Sequence, residues 1–217
     1  MSGTALVFGG TGLVGRALVD LLIRDERWER VVCVDRKPIR YEGHKVVQVL
    51  ADKGSIEAVA TNLCADTVFC CLGTTQKVAG SREAFREIDH DYVLQCARIA
   101  YRKGATRFLL VSSMGARIGS ISYYAHVKGE TERDLARIGY PAVDILRPSL
   151  LLGDRLDHRF KEKWAGRIMP HFNFLLCGPL KKYRPIKASQ VARAMGTIAH
   201  TAANGVTVYT SDKLESI

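Results

Sequence analysis

"TALVFGGTGLVGRALVDLLIRD" occupies residues 4–25. An apolar run, a cluster of glycines and an apolar pattern at helical spacing follow one another without a gap. They read as a buried strand, a tight turn and a helix. In the turn, Gly10, Gly12 and Gly15 satisfy G-x-G-x-x-G, while Gly9, Gly12 and Gly15 satisfy G-x-x-G-x-x-G. Both patterns serve the same physics. One glycine lets the chain turn sharply, one lets the backbone approach a pyrophosphate, and one lets the helix pack close to the sheet. The amides at the helix start then face the anion. With the strand before it and the helix after it, the stretch predicts a dinucleotide-binding βα unit.

Working outward, strand-like and helix-like segments alternate. Residues 30–36, 44–52, 66–73, 107–113, 142–148 and 205–211 read as strands, and 54–63, 82–104, 123–139 and 188–202 as helices, with Gly104 placed to end the longest. Strands apolar on both sides, alternating with helices, imply βαβ units and a parallel sheet covered on both faces. The expectation is α/β: one doubly wound Rossmann fold across 1–217, with 150–187 as a variable, basic, substrate-side region.

The second strand ends at Asp35, twenty residues after Gly15. An acid there can bind the ribose 2′-hydroxyl of NAD, whereas an arginine such as Arg36, followed here by Lys37, accommodates the 2′-phosphate of NADP. The two signals conflict, and the expectation leans slightly to NADP.

The formal charge of +10 on 217 residues admits nucleic acid, anionic lipid or an acidic ligand as partner. No block of five or six consecutive Lys/Arg supports nucleic acid, so none is expected. No apolar run approaches the roughly 20 residues of a membrane span, and no signal peptide is read. Cys33, Cys64, Cys70, Cys71, Cys96 and Cys177 form no C-x-x-C pair. They read as reduced thiols in apolar surroundings, not as a disulfide framework or metal site, which makes cytoplasm the expected location.

"SYYAHVKGE" (122–130) places Tyr124 four residues before Lys128, on one helical face. A free tyrosine has a pKa of about 10; an ammonium and a positive nicotinamide ring beside it would lower that value. Ser112 and Ser113 end the fifth strand, where a hydroxyl can polarise a substrate carbonyl.

Together, "GGTGLVG", "VSS", "YAHVK" and "ILRPSLLLG" resemble the short-chain dehydrogenase/reductase superfamily. "FCCLGTT", "IDHDYVLQCA", "LLVSSMGA" and "VKGETE" resemble its atypical Tat-interacting-protein-like branch, and the resemblance runs from residue 4 to about 195. It implies that Gly9, Thr11, Gly12, Leu13, Val14 and Gly15 line the pyrophosphate, and that Asp35 and Arg36 face the adenosine ribose. It brings Leu72, Gly73 and Thr74 close to the adenosine half and Pro148 and Ser149 beside the nicotinamide carboxamide. The implied catalytic set is Ser113 (rather than Ser112), Tyr124 as general acid and Lys128 as its partner on the nicotinamide ribose. Asp89 stands where relatives often have an asparagine, which disturbs any proton relay through that helix. The branch also includes NADPH-binding regulators without a clear substrate.

Residues 154–187 carry nine Lys/Arg against three Asp/Glu, with Trp164, Phe172, Phe174 and Tyr183 interleaved. That composition suits an anionic substrate, a protein-binding surface or a solvated basic loop. Two functions stay open: an NAD(P)-dependent oxidoreductase acting on an unidentified carbonyl or alcohol, and a dinucleotide-binding regulator or sensor with little turnover. No substrate and no oligomeric state is legible.

Overall fold

A computed structural model of the chain describes residues 3–153, 183–202 and 204–217; most of the basic 150–187 stretch therefore lies outside the described residues. The central strand is β1 (Gly3–Phe8). On one side it pairs with β2 (Trp28–Asp35), which pairs with β3 (Val46–Leu50). On the other side β4 (Thr67–Cys70), β5 (Arg107–Val111), β6 (Ala142–Arg147) and β9 (Gly205–Thr210) follow in order. Every neighbouring pair in this seven-stranded sheet is parallel. Strand order reverses between β1 and β4, which opens a crevice at their carboxyl ends. This is the doubly wound Rossmann-like fold that the alternation of strands and helices predicts.

The period-2 pleat sends alternate strand residues to opposite faces. Leu6, Phe8, Val32, Val68, Phe108 and Leu110 pack under α4 (Val93–Arg102) and α5 (Tyr123–Ala136), meeting Val93, Ala97 and Leu135. Ala5, Val7, Val31, Phe69 and Leu109 pack on the other face. There they meet Leu18 and Leu22 of α1 (Leu13–Arg24) and Val191 and Met195 of α6 (Ala188–Ile198). A short pair, β7 (Leu151–Leu152) with β8 (Ile186–Lys187), stands apart from the main sheet, and α7 (Ser211–Ser216) ends the chain.

Two expectations are corrected. Residues 54–63 form turns and one 3₁₀ turn, Ala60–Asn62, instead of a helix. Asp52 Oδ1 accepts from the amides of Gly54 and Ser55 at 3.0 Å each, a local bond that competes with the helical ladder. The helix read over 82–104 is divided into α3 (Arg82–Arg86), a π turn (Glu87–Tyr92) and α4, with α2 (Gln76–Ala79) before it. It does stop at Gly104. There φ is +94°, Ala105 N donates to Ala100 O at 3.1 Å and Gly104 N to Tyr101 O at 3.0 Å, a Schellman end.

At the amino edge of the sheet Arg107 Nε donates to Asp144 Oδ2 at 2.7 Å, and Tyr209 Oη to Asp144 Oδ1 at 3.2 Å. Asp144 is fully buried. This network ties β5, β6 and β9 together. Arg107→Ala leaves a buried carboxylate without its cation and should cost about 3–5 kcal/mol, read as a lower midpoint in urea unfolding.

Candidate functional site

The glycine turn lies at the crevice. Gly9 has φ +79°, and a Cβ there would sit 2.8 Å from the Cys71 carbonyl carbon and oxygen. At Gly15 a Cβ would lie 2.1 Å from Gly9 O, so the start of α1 is drawn tight against the turn. Gly12 donates to Gly9 O at 3.0 Å and stands as N-cap of α1 with no side-chain cap. The first amides of the helix, from Leu13 through Val14 and Gly15, accordingly have no intrahelical acceptor. Thr11 is half-buried in the turn, and Leu13 packs on Gly153, where a Cβ would meet its Cδ1 at 2.5 Å.

Asp35, at the end of β2, is 3% exposed. Its Oδ2 accepts from Tyr41 Oη at 2.7 Å and from Gln48 Nε2 at 2.8 Å. Its Oδ1 is buried, has no hydrogen-bond partner among the described residues and lies 3.7 Å from where a Cβ on Gly10 would be. An unfilled acceptor beside the glycine turn fits a ribose hydroxyl. Arg36 and Lys37 point outward and are exposed. Asp35 and burial together hold the Tyr41 hydroxyl well above the usual tyrosine range, burial contributing more, so it stays a donor.

On α5, Lys128 is 4% exposed and Asp89, in the π turn, is 0% exposed. Lys128 Nζ forms an ion pair with Asp89 Oδ1 at 2.6 Å. Burial works against the ammonium, but the negative charge of Asp89 and the proximity of Tyr124 outweigh it and raise Lys128 above the ordinary lysine range. Asp89 Oδ2 accepts from the Thr74 amide at 2.8 Å. A Cβ on Gly73 would stand 3.4 Å from Asp89 Oδ1 and 3.5 Å from Lys128 Nζ. The Leu72–Gly73–Thr74 loop at the end of β4 is thus laid directly over this pair.

Tyr124, half-buried at the start of α5, stacks near Phe85 with centroids 5.3 Å apart, and among the described residues its hydroxyl makes no hydrogen bond. Tyr123 turns away: its hydroxyl donates to Arg82 O at 3.2 Å. The helix starts at Ser122, whose Oγ accepts from Ala125 N at 3.5 Å. The two serines separate. Ser112 is buried and donates to Glu132, which also holds Arg147. Ser113 is half-buried, its Oγ 3.4 Å from Met114 O. Pro148 O accepts from Met114 N at 2.9 Å. Ser149 is tied to Ser211 Oγ by its amide at 2.7 Å and to Arg184 O by its hydroxyl.

Tyr41 and Gln48 are site residues that sequence reading missed, and Asp89 was singled out there without its lysine partner. Asp89 had a signal: it lies on the apolar stripe of its helix, four residues after Phe85. Gln48 had a weaker one, a polar residue inside "VVQVL". Tyr41 had none. Nearby thiols are poor nucleophiles: burial pushes Cys33 and Cys70 up to about 12, and raises Cys71 and Cys96 as well.

The sequence pattern of the NAD dependent epimerase/dehydratase family matches residues 5–209. The chain belongs to this family. Protein FMP52, mitochondrial, of Debaryomyces hansenii is 32% identical over 76% of this chain and 76% of its own length. Protein HTATIP2 of Rattus norvegicus is 32% identical over 76% of this chain and 69% of its own length, which bears out the resemblance to the atypical branch. MoeE5, in complex with UDP-glucuronic acid and NAD, shares the fold, with a TM-score of 0.73 at 20% identity over 95% of this chain and 75% of that one. The FMP52 relatives are named mitochondrial, and the expectation of a cytoplasmic location is corrected accordingly. That expectation rested on the cysteine pattern, and redox state alone is not an address.

Gly9→Ala should lose at least the roughly 1–2 kcal/mol of a left-handed non-glycine residue. The backbone clash with Cys71 adds to it, so the melting temperature should fall and dinucleotide binding should fall with it.

Proposed function

We propose that this family member is an oxidoreductase that moves a hydride between NAD(H) and a small carbonyl or alcohol. The observation that carries the reading is the grouping at one crevice of an uncapped helix start, the unfilled Asp35 acceptor and the buried Lys128 on the helical face of Tyr124. The bound dinucleotide supplies or accepts the hydride at its nicotinamide. Gly9, Gly12 and Gly15, with the amides of Leu13 and Val14, would hold the pyrophosphate, and Leu72, Gly73 and Thr74 would border the adenosine half. Lys128 holds the nicotinamide ribose. Ser113 donates a hydrogen bond to the substrate oxygen, and Tyr124 delivers the proton to that oxygen in reduction or removes it in oxidation. Pro148 and Ser149 support the carboxamide side.

For the adenosine end, the buried Asp35 supports NAD over the NADP that Arg36 and Lys37 suggest. An acceptor-only carboxylate beside the ribose repels a 2′-phosphate and suits a 2′-hydroxyl.

Titration of the purified protein with NADH and NADPH tests the cofactor. NADH should bind more tightly, and Asp35→Gly should weaken NADH by about tenfold or more, the worth of one hydrogen bond to a charged group, while sparing or improving NADPH. Tighter binding of NADPH by the unaltered protein would overturn the assignment. Screening carbonyl compounds, alcohols and UDP-sugars then tests the chemistry. With a substrate in hand, Tyr124→Phe should lower kcat by roughly 10²–10⁴-fold and leave NADH affinity unchanged. Dinucleotide binding with no turnover on any of these would give the site to a regulatory role.

A further inference from the structure

Among the described residues, Asp89 is the buried charge unused by the mechanism above that touches Lys128. Asp89 is fully buried in the π turn between α3 and α4, and π turns in helices frequently mark functional positions. Both of its oxygens face donors: the Lys128 ammonium at 2.6 Å and the Thr74 amide at 2.8 Å. A carboxylate accepts on both oxygens. An asparagine amide accepts on one and donates on the other, so it would turn an N–H toward one of these two donors. The segment is also pinned from α5, because Thr131 Oγ1 lies 3.0 Å from the Asp89 carbonyl oxygen and 2.8 Å from that of Val127.

The electrostatic consequence falls on Tyr124. An isolated lysine one helical turn away acts as a full positive charge and draws a proton off a phenol. A lysine held 2.6 Å from a carboxylate acts instead as a short dipole, whose field decays faster than that of a single charge. Among the described residues, the other charges at this end of α5 face Tyr123 or pair with one another. Arg82 lies over the Tyr123 ring, with 5.1 Å from its guanidinium carbon to the centroid. Arg86 pairs with Glu130, and His126 faces the same Glu130 at 3.6 Å. The ring of Phe85 is apolar, the Cys70 thiol is held neutral by burial, and Ser113 is uncharged.

We propose that Asp89 is a positioning residue that clamps Lys128 and the Thr74 amide and offsets the lysine's charge at Tyr124, biasing the site toward carbonyl reduction. The direction of the bias rests on the oxidoreductase reading above; the charge offset does not. In that direction the hydride leaves NADH for the carbonyl carbon and the Tyr124 proton goes to the carbonyl oxygen. The products are NAD⁺ and the alcohol, and solvent returns a proton to the tyrosine.

The test follows tyrosinate absorbance during a pH titration and needs no substrate. Subtracting the same protein carrying Tyr124→Phe isolates the Tyr124 step from the other tyrosines. Asp89→Asn should move that step to lower pH by about one unit or more, the size expected when an opposing charge is removed from an ion pair. Asp89→Glu, which restores the charge, should return it toward the original pH. If Asp89→Asn does not fold, Asp89→Ser, neutral and able to accept from the Thr74 amide, is read in the same way. A Tyr124 step at unchanged pH in a folded neutral variant would overturn the proposal, whatever the loss of thermal stability, and would reduce Asp89 to a structural clamp. A moved step with no turnover on any carbonyl supports the charge offset and counts against the oxidoreductase reading. Turnover with an unmoved step does the reverse.

Discussion

The approach of Gly9 and Gly15 to neighbouring backbone is the constraint on which the rest of the structure depends. No side chain fits where their Cβ atoms would stand, 2.8 Å from the Cys71 carbonyl and 2.1 Å from Gly9 O. This contact seats the start of α1 at the point where strand order reverses, with its free amides open to the crevice. Asp35 comes to the same place because β2 pairs beside β1 in parallel, with Phe8 opposite Val34. The loop after β4 comes to it because Phe8 pairs with Cys70 on the other side. Parallel register therefore delivers three carboxyl ends to one crevice without any direct bond among their side chains.

Buried charge is distributed in a few closed sets. Lys128 with Asp89, Arg147 with Glu132, and Arg107 with Asp144 each join elements that hydrophobic packing alone would let slide. Such pairs contribute little net stability against apolar replacements, because desolvation offsets much of the attraction. Breaking one of them is costly, since the remaining partner stays buried without compensation. Their value is positional. The Arg147 pair also bears on Ser112: its hydroxyl is committed to Glu132, whereas Ser113 Oγ makes a long 3.4 Å contact with Met114 O.

The start of α5 separates two adjacent tyrosines by the same logic. Successive residues on a helix point about 100° apart. Tyr123 therefore packs toward Arg82, while Tyr124 faces Phe85 and shares its side of the helix with Lys128. Gly129 lets the Arg117–Ile118 backbone lie on the same helix, where a Cβ would stand 2.5 Å from the Arg117 carbonyl carbon. Ser113 and Met114 lead into this loop, so the position of the serine depends on a glycine sixteen residues later.

The amino-acid sequence by itself determined the βα unit at residues 4–25, the parallel sheet and the helical face shared by Tyr124 and Lys128. Each of these rests on local periodicity or on residue types with restricted backbone, and local patterns are written in consecutive residues. The turns at 54–63 and the π turn at 87–92 were not legible: one depends on an Asp52 side chain competing for amides, the other on how the helix seats against α5. Only the tertiary structure decided that Asp35 keeps one oxygen unfilled while Tyr41 and Gln48 hold the other, and that Asp89 pairs with a lysine 39 residues away. Such partners are chosen by the folded backbone, because the direction of a side chain and the desolvation around it are properties of the packed elements together.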